Sequence, residues 1–256
     1  MVQTMIIPAA GYGTRMREIA GTGCKELLPV GGRPAIQYAL EEALAAGISN
    51  VGIVIREGKE EIRDFILRSD ATVNLRKRLD IHFLYQRRMN GECGAILAAS
   101  DMVSDRPFLV HYPDNIVTGI PGRVTGMLLK EFGEVQGDIL ALSPVLDTES
   151  FASARPMGLR RLRGNLFRLS PDEIPVDFAY GLRTTGVYLA TAVFMDACRE
   201  LVKLGMSVEI KDRDAYCLLA ARGCDMHGVD AGQDILDTGS TKGYTNACDF
   251  FRSLEY

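Results

Sequence analysis

The chain has 256 residues, enough for one large domain or two small ones and for a substantial core. Hydrophobic residues at 47% and charged residues at 24% are ordinary for a globular protein, and a net charge of −4 gives no electrostatic basis for binding nucleic acid or a membrane. The first residues lack the pattern of a signal peptide, and no apolar run is long enough to span a membrane. Six scattered cysteines without a Cys-x-x-Cys pair favour reduced thiols, so we expect a cytoplasmic protein.

A strand followed by a glycine turn begins the chain. Residues 5–10 form a short apolar run that predicts a buried strand, and Gly11 and Gly13 follow it. Without Cβ atoms, such a loop can point successive backbone N–H groups at phosphate oxygens. Thr14 adds a hydroxyl and Arg15 adds a planar cation. These residues predict a phosphate-binding loop.

Two common phosphate-binding motifs do not fit this loop. A dinucleotide fingerprint requires a third glycine where this chain has Met16. A P-loop requires Gly-Lys-Ser or Gly-Lys-Thr after four spacer residues, and the sequence has neither. Lys25, which follows the loop, supplies a second and more compact cation. The residues therefore indicate a phosphate site of another kind.

The rest of the chain alternates predicted helices and strands. Its periodicity predicts strands at 51–55, 80–85, 107–112, 138–145 and 184–189. It predicts helices at 34–46, 59–69, 125–132, 192–204 and 214–222, and one that starts near Gly94 and ends at about residue 100. This rhythm predicts an α/β fold with a doubly wound, Rossmann-like sheet that is mixed but mostly parallel. An arginine-rich segment within 146–183 predicts a small antiparallel insertion with its turn near Gly164. We expect one domain over residues 1–256.

An acidic residue at the end of a predicted strand is a candidate ligand of a metal ion. Asp114 follows the strand predicted at 107–112, and open α/β sheets bind ligands at the carboxyl ends of their strands. Taken alone, Pro113-Asp114-Asn115 is also a common turn sequence. Asp237 precedes the last predicted helix, where Ser240 or Thr241 is better placed as the N-cap. We interpret His111, on the strand itself, as a core residue.

Several segments of the chain, in the same order, resemble the sugar nucleotidyltransferases, or nucleotide-sugar pyrophosphorylases. Gly11-Tyr-Gly-Thr-Arg15, Lys25-Glu-Leu-Leu-Pro-Val30 and Arg33-Pro34 match the signature of that family. The segment that begins at Asp237 resembles its second aspartate motif. The resemblance covers nearly the whole chain and is weakest at residues 146–183.

The resemblance implies which residues form the site. By position, it assigns the nucleotide to Ala10, Gly11, Gly13, Thr14, Gln86 and Gly91, catalysis to Arg15 and Lys25, the sugar to Gly158 and Thr185, and Mg²⁺ to Asp114 and Asp237. The chain departs from the family at Leu169-Ser170-Pro171, where relatives carry Glu-Lys-Pro to hold the sugar hydroxyls and the sugar phosphate. Asp172-Glu173 and Arg183 or a hairpin arginine are candidates to replace those groups.

The reaction implied by the resemblance joins a nucleoside triphosphate to a sugar 1-phosphate and releases pyrophosphate, with Mg²⁺ as cofactor. The stretches after Lys25 and Pro34 look closest to UTP:glucose-1-phosphate uridylyltransferases, so we expect UTP and glucose 1-phosphate as partners. Thymidylyl or cytidylyl transfer is the alternative within the class, and a non-catalytic regulatory protein that binds nucleotide sugars is the alternative outside it. We expect a homo-oligomer, either a dimer or a tetramer.

Overall fold

The computed structural model describes residues 2–21, 23–135, 137–145, 157–171, 173, 181–205, 209–233 and 235–254. The strands of this part of the chain are β1 (Thr4–Pro8), β2 (Pro29–Val30), β3 (Arg33–Pro34), β4 (Asn50–Ile55), β5 (Asp80–Tyr85), β6 (Phe108–His111), β7 (Asn115–Val117), β8 (Asp138–Pro144), β9 (Gly158–Arg163), β10 (Leu166–Ser170), β11 (Leu182–Ala190), β12 (Met226–Asp230) and β13 (Ile235–Asp237).

A large sheet joins nine of these strands in the order β5-β4-β1-β6-β11-β8-β12-β10-β9. The first four are parallel to one another, and β12 is parallel to β8. Strand β11 runs antiparallel between β6 and β8, and β10 and β9 form the antiparallel edge. The prediction of a mixed, mostly parallel sheet with an antiparallel hairpin is therefore confirmed, whereas β7, β12 and β13 were not predicted.

The helices of the described residues lie between these strands. The α-helices are α1 (Arg17–Ala20), α2 (Ala35–Ala45), α3 (Glu60–Arg68), α4 (Val73–Arg78), α5 (Glu92–Leu97), α6 (Ser100–Val103), α7 (Arg123–Val135), α8 (Ala192–Lys203), α9 (Asp212–Ala221) and α10 (Thr241–Ser253). Short 3₁₀ turns occupy Thr14–Met16, Lys25–Leu27 and Asp70–Thr72. Within the described residues, no helix combines the length and apolar character that a membrane crossing requires.

The helices cover both faces of the sheet and form a separate core on each. Successive residues of β1 point to opposite faces, so Ile7 belongs to one core and Ile6 to the other. Helices α2, α3, α4 and α7 pack over the face of Ile7, while α5, α8 and α9 pack over the face of Ile6. This arrangement is the doubly wound architecture that the alternation of elements predicts.

Helix α2 begins one residue later than predicted. Its apolar face, which includes Ile36, Leu40 and Ala43, is buried as expected. Pro34 is the residue that precedes the helix, not its first residue, because Pro34 pairs with Pro29 in the β2–β3 ribbon and keeps an extended ψ of 140°. The ribbon therefore determines where the helix starts.

The start of α10 leaves no room for a side chain at Gly243. A Cβ atom there would lie 2.1 Å from the carbonyl oxygen of Asp237. Ser240 caps the helix by accepting a hydrogen bond from the backbone N–H of Gly243 at 3.1 Å, as the sequence predicts. Gly243 therefore allows the chain to turn directly from β13 into α10.

Two helical glycines give a matched test of this packing. Gly243→Ala should lower the free energy of unfolding by about 1–3 kcal/mol, because the new methyl group has to displace backbone. Gly126→Ala in α7 should raise it by up to about 1 kcal/mol, since a Cβ there meets nothing within 4 Å and alanine favours helix. Urea denaturation measures both values. Equal stability of the two variants would contradict the close approach at Gly243.

Candidate active site

Most of the predicted site residues gather at one edge of the large sheet. Strands β1, β4 and β6 are parallel and end at this edge. Strand β11 runs antiparallel to β6 and β8, so it begins at this edge. Arg183 pairs with Ser143 near the end of β8, and Val187 pairs with His111 at the end of β6. The edge therefore receives chain segments from both sides of β6. Ligands bind at this edge in open α/β sheets.

A two-stranded antiparallel ribbon, β7 with β13, brings Asp114 and Asp237 together. Asp237 pairs with Asn115, and the backbone N–H of Thr238 donates to the carbonyl oxygen of Asp114 at 2.7 Å. Asp114 Oδ2 and Asp237 Oδ1 each lie 3.1 Å from the place that a Cβ atom would take at Gly239. The two carboxylates therefore converge on one point, and a glycine keeps that point open.

Each of these carboxylates is paired with a cation. Lys25 Nζ donates to Asp114 Oδ2 at 2.5 Å, and the guanidinium of Arg183 lies 3.4 Å from Asp237 Oδ2. Burial opposes ionisation of Asp114, but Lys25, Asn115 and Arg15 outweigh it and lower the pKa of that carboxyl below its ordinary value. Burial lowers the pKa of the Lys25 ammonium, but the charge of Asp114 outweighs this effect, so the pKa lies above its ordinary value. Both groups are therefore charged at neutral pH.

The two aspartates suit a divalent cation that also binds phosphate. Within the described residues, no group of three or more histidine, cysteine or acidic side chains could hold a metal ion by itself. Mg²⁺ is commonly bound by one or two carboxylates together with substrate phosphates and water. The converging oxygens of Asp114 and Asp237 supply the protein's share of such a set. Their role as metal ligands stays a prediction.

The glycine loop lies over Lys25. Gly13 has a φ of +64°, and a Cβ atom there would lie 3.5 Å from Cγ and Cδ of Lys25. A Cβ atom at Gly11 would meet nothing within 4 Å, whereas Ala10 is buried below the loop. The loop thus presents bare backbone on an open side, as a phosphate site requires.

Beyond the loop, Thr14 and Arg15 are exposed. Arg15 Nη2 lies 3.6 Å from the Cβ position at Gly239, the point on which the two aspartates converge. A cleft of about 450 Å³ opens beside the loop, with Tyr12, Gly13, Arg17, Lys25, Arg56 and Lys59 among its lining residues. The cleft is basic and large enough for a polyphosphate group.

A buried ion pair under the loop was not predicted. Lys59 Nζ donates to Glu26 Oε2 at 2.8 Å and to the carbonyl oxygen of Ala9 at 2.8 Å. Lys59 and Glu26 are 4% and 2% exposed, so both charges are removed from water. The pair joins three separate segments: the end of β1, the segment of Lys25 and the start of α3. The sequence shows Lys59 only as a helix-flanking residue and carries no sign of this contact.

Removing one member of this pair should destabilise the protein. Lys59→Met leaves the Glu26 carboxylate buried without its cation, which should cost about 3–5 kcal/mol in urea denaturation. The double variant Glu26→Leu/Lys59→Met should regain much of that loss, because neither charge is then buried. The exposed pair of Arg222 with Glu200 is the control, and Arg222→Met should leave stability almost unchanged, because exposed ion pairs contribute little. Similar losses for Lys59→Met and Arg222→Met would contradict this role.

The predicted base-reading residues Gln86 and Gly91 lie together. Gln86 Nε2 donates to the carbonyl oxygen of Gly91 at 2.9 Å. Gly91 has a φ of +93°, and a Cβ atom there would lie 2.4 Å from backbone atoms of Ile210. The loop is therefore fixed against the segment that precedes α9. Its contact with a nucleotide base stays a prediction.

A network around Asp212 links this loop to the segment of Asp114, and no pattern in the sequence indicates it. Tyr112 Oη donates to both carboxylate oxygens of Asp212 at 3.0 and 2.9 Å, and Tyr188 Oη also donates to Asp212. The backbone N–H of Asp212 donates to Glu92 Oε2 at 3.0 Å. Burial, followed by the charge of Glu92, raises the pKa of Asp212 to about 8.

The raised pKa of Asp212 makes stability depend on pH. The native state holds a proton that the unfolded chain releases near pH 3.8, so this contribution is complete at low pH and is lost as pH rises toward about 8. Asp212→Asn removes the titration. Its stability relative to wild type should therefore increase with pH, as measured by urea denaturation at roughly pH 5, 7 and 9.

The control for this pH dependence is Asp249→Asn, which changes an exposed acid on α10. Its stability relative to wild type should vary less with pH than that of Asp212→Asn. Parallel pH curves for wild type and Asp212→Asn would contradict the titration of Asp212.

The two predicted sugar-binding residues, Gly158 and Thr185, lie on different strands of the large sheet. Gly158 is on the edge strand β9, where its N–H donates to the carbonyl oxygen of Glu173 at 3.1 Å, and a Cβ atom at Gly158 would lie 2.7 Å from Glu173 Oε2. Thr185 donates its hydroxyl to the carbonyl oxygen of Ala141 at 2.9 Å, inside the irregular part of β11. Sugar contacts by Gly158 and Thr185 stay predictions, and Asp172 lies outside the described residues.

The fold and the phosphate-binding edge together define a nucleotide-binding α/β protein. Residues 4–146 match the profile of the Nucleotidyl transferase family, and the chain belongs to this family. It is 31% identical to a UTP–glucose-1-phosphate uridylyltransferase of Pseudomonas aeruginosa, over 98% of this chain and 96% of that protein. A Streptococcus pyogenes protein of the same name is 28% identical, over 82% of this chain and 77% of its own length.

Solved structures show the same architecture. A UDP-glucose pyrophosphorylase complexed with UDP-glucose superposes with a TM-score of 0.84 at 25% identity, over 99% of this chain and 100% of that one. The UTP-bound UGPase from Acinetobacter baumannii superposes with a TM-score of 0.78 at 21% identity, over 100% of this chain and 95% of that one. This second likeness concerns the fold alone.

Proposed function

We propose that this protein transfers the uridylyl group of UTP to glucose 1-phosphate, forming UDP-glucose and pyrophosphate with Mg²⁺ as the metal. The observation that carries this proposal is the convergence of Asp114 and Asp237 beside the glycine loop, with Lys25 and Arg15 next to them. The names of the relatives support UTP and glucose 1-phosphate as substrates. The six free cysteines are consistent with an enzyme of the cytoplasm, and we propose that residues 1–256 act as one domain.

The chemistry of this reaction matches what the site contains. An oxygen of the sugar phosphate attacks the α-phosphorus, and the bond from that phosphorus to the oxygen of the leaving pyrophosphate breaks. The nucleophile is already an anion, so no general base is needed. The protein has to hold two anions in line and stabilise the charge that moves to the leaving group. Fixed cations next to an open backbone loop perform this task.

Each cation has a place in this scheme. Arg15, exposed beyond the loop, would neutralise the triphosphate. Lys25 lies between the loop at Gly13 and the carboxylate of Asp114, so its ammonium can reach phosphates of both substrates. When bound by Asp114 and Asp237, Mg²⁺ would neutralise phosphate charge and orient the reacting oxygens. The base would lie at the loop of Gln86.

Pyrophosphate release tests the proposal. Wild-type protein with Mg²⁺, UTP and glucose 1-phosphate should release pyrophosphate, faster than with dTTP, CTP, ATP or GTP. Lys25→Ala and Asp237→Ala should each lower turnover by on the order of 10²-fold or more, since each removes a fixed group that stabilises charge. The exposed Lys77→Ala, on α4, is the control and should leave turnover unchanged.

Other outcomes separate the alternatives. Thermal unfolding of each variant shows whether lost turnover reflects lost structure. A variant that keeps turnover within a few-fold of wild type removes its residue from the mechanism. Nucleotide binding without pyrophosphate release would favour the non-catalytic regulatory protein, and turnover only with dTTP or CTP would change the substrate but keep the class.

A further inference from the structure

We propose that Arg183 binds the phosphate of the sugar 1-phosphate, as the cation that holds the acceptor beside the metal site. This inference rests on the proposed function, because it assigns one residue to the second substrate of that reaction. It starts from the position of Arg183 on β11, opposite Ser143, where that strand enters the edge of the sheet. The sequence offers Arg183 and the hairpin arginines as candidates for this role and does not decide between them.

The Arg183 side chain is directed at the reactive centre. Its guanidinium lies 3.4 Å from Asp237 Oδ2, and the side chain is 19% exposed. Among the described residues, Asp237 is its one ion-pair partner, through a single nitrogen at a long distance. A guanidinium has five N–H donors in a planar fork. Most of that fork therefore stays available for a ligand that enters the site, and a phosphate matches it in geometry and charge.

The sheet order places Arg183 on the side that the acceptor must use. The glycine loop follows β1, the two aspartates meet beyond β6, and Arg183 comes from β11, the next strand across. In-line transfer requires the nucleophile to approach the α-phosphorus from the side opposite the leaving pyrophosphate. With the triphosphate on the loop of Arg15, the acceptor phosphate would lie toward β11. Arg183 is the cation at that position.

Two arginines of the β9–β10 hairpin have other partners. Arg163 pairs with Glu131 and Glu134 of α7. Arg168 pairs with Asp225, which precedes β12 at the opposite edge of the sheet, since β12 begins where Met226 pairs with Asp138. These two arginines therefore form ion pairs that do not involve Asp114 or Asp237. The hairpin segment Leu169-Ser170-Pro171 also contains no lysine.

Kinetics of Arg183 variants test the inference. Arg183→Gln should raise the KM for glucose 1-phosphate by roughly 10- to 100-fold, the loss expected for a charge-assisted hydrogen bond, and change the KM for UTP by less than about 3-fold. Arg183→Lys should recover part of the loss, because it restores the charge without the fork. Arg168→Gln is the matched control and should leave both KM values unchanged. Thermal unfolding confirms that the variants are folded.

A binding measurement gives a readout that does not depend on turnover. Calorimetry should show that wild-type protein with Mg²⁺ and the unreactive analogue α,β-methylene-UTP binds glucose 1-phosphate, and that Arg183→Gln binds it at least about 10-fold more weakly. The half-saturating Mg²⁺ concentration should not rise in Arg183→Gln. An increased Mg²⁺ requirement with unchanged glucose 1-phosphate affinity would overturn the inference and show that Arg183 only positions Asp237.

The failure of this inference can be distinguished from failure of the proposed function. Wild-type turnover with an unchanged glucose 1-phosphate KM in Arg183→Gln overturns the role of Arg183 and leaves the function intact. If wild type neither turns over nor binds glucose 1-phosphate in calorimetry, both the proposed function and the role of Arg183 are overturned.

Discussion

The repulsion between Asp114 and Asp237 is the constraint on which the rest of this site depends. Two carboxylates that converge on one point repel each other, and the β7–β13 ribbon nevertheless fixes them there. Lys25 and Arg183 offset the repulsion, one at each carboxylate. The groups that offset this repulsion without substrate are therefore the same cations that would contact the substrate phosphates in the proposed function.

The sheet topology explains why cationic side chains approach the two aspartates from two sides. If all the strands were parallel, every chain segment at this edge would follow the carboxyl end of a strand. Strand β11 enters the same edge at its amino end, so Arg183 approaches the aspartates from the side opposite the glycine loop. A reaction between two anions requires such separation, because each substrate needs its own cations. In the proposed reaction, the single reversed strand between β6 and β8 would thus serve the second substrate.

Much of the fold and part of the site could be predicted from local patterns. The alternation of apolar segments predicts the parallel strands, and the glycines before Arg15 predict the loop, because both signals lie within a few residues. The β7–β13 ribbon could not be predicted, since three-residue strands carry too few residues to show a period. The Glu26–Lys59 pair and the contacts of Asp212 join residues far apart in the sequence, so local patterns cannot predict them.

The net charge of −4 makes the location of the cations more important than their number. The protein as a whole repels polyanions weakly, so attraction to a nucleotide must come from the few cations at the carboxyl edge of the sheet. The Lys25 side chain is 19% exposed, and its charge is retained because Asp114 faces it, so it acts at short range in a poorly hydrated setting. Arg15 is exposed, and salt screens its field. In the proposed function, capture of the triphosphate by Arg15 should therefore weaken with ionic strength, whereas a chemical step beside Lys25 should be much less sensitive to it.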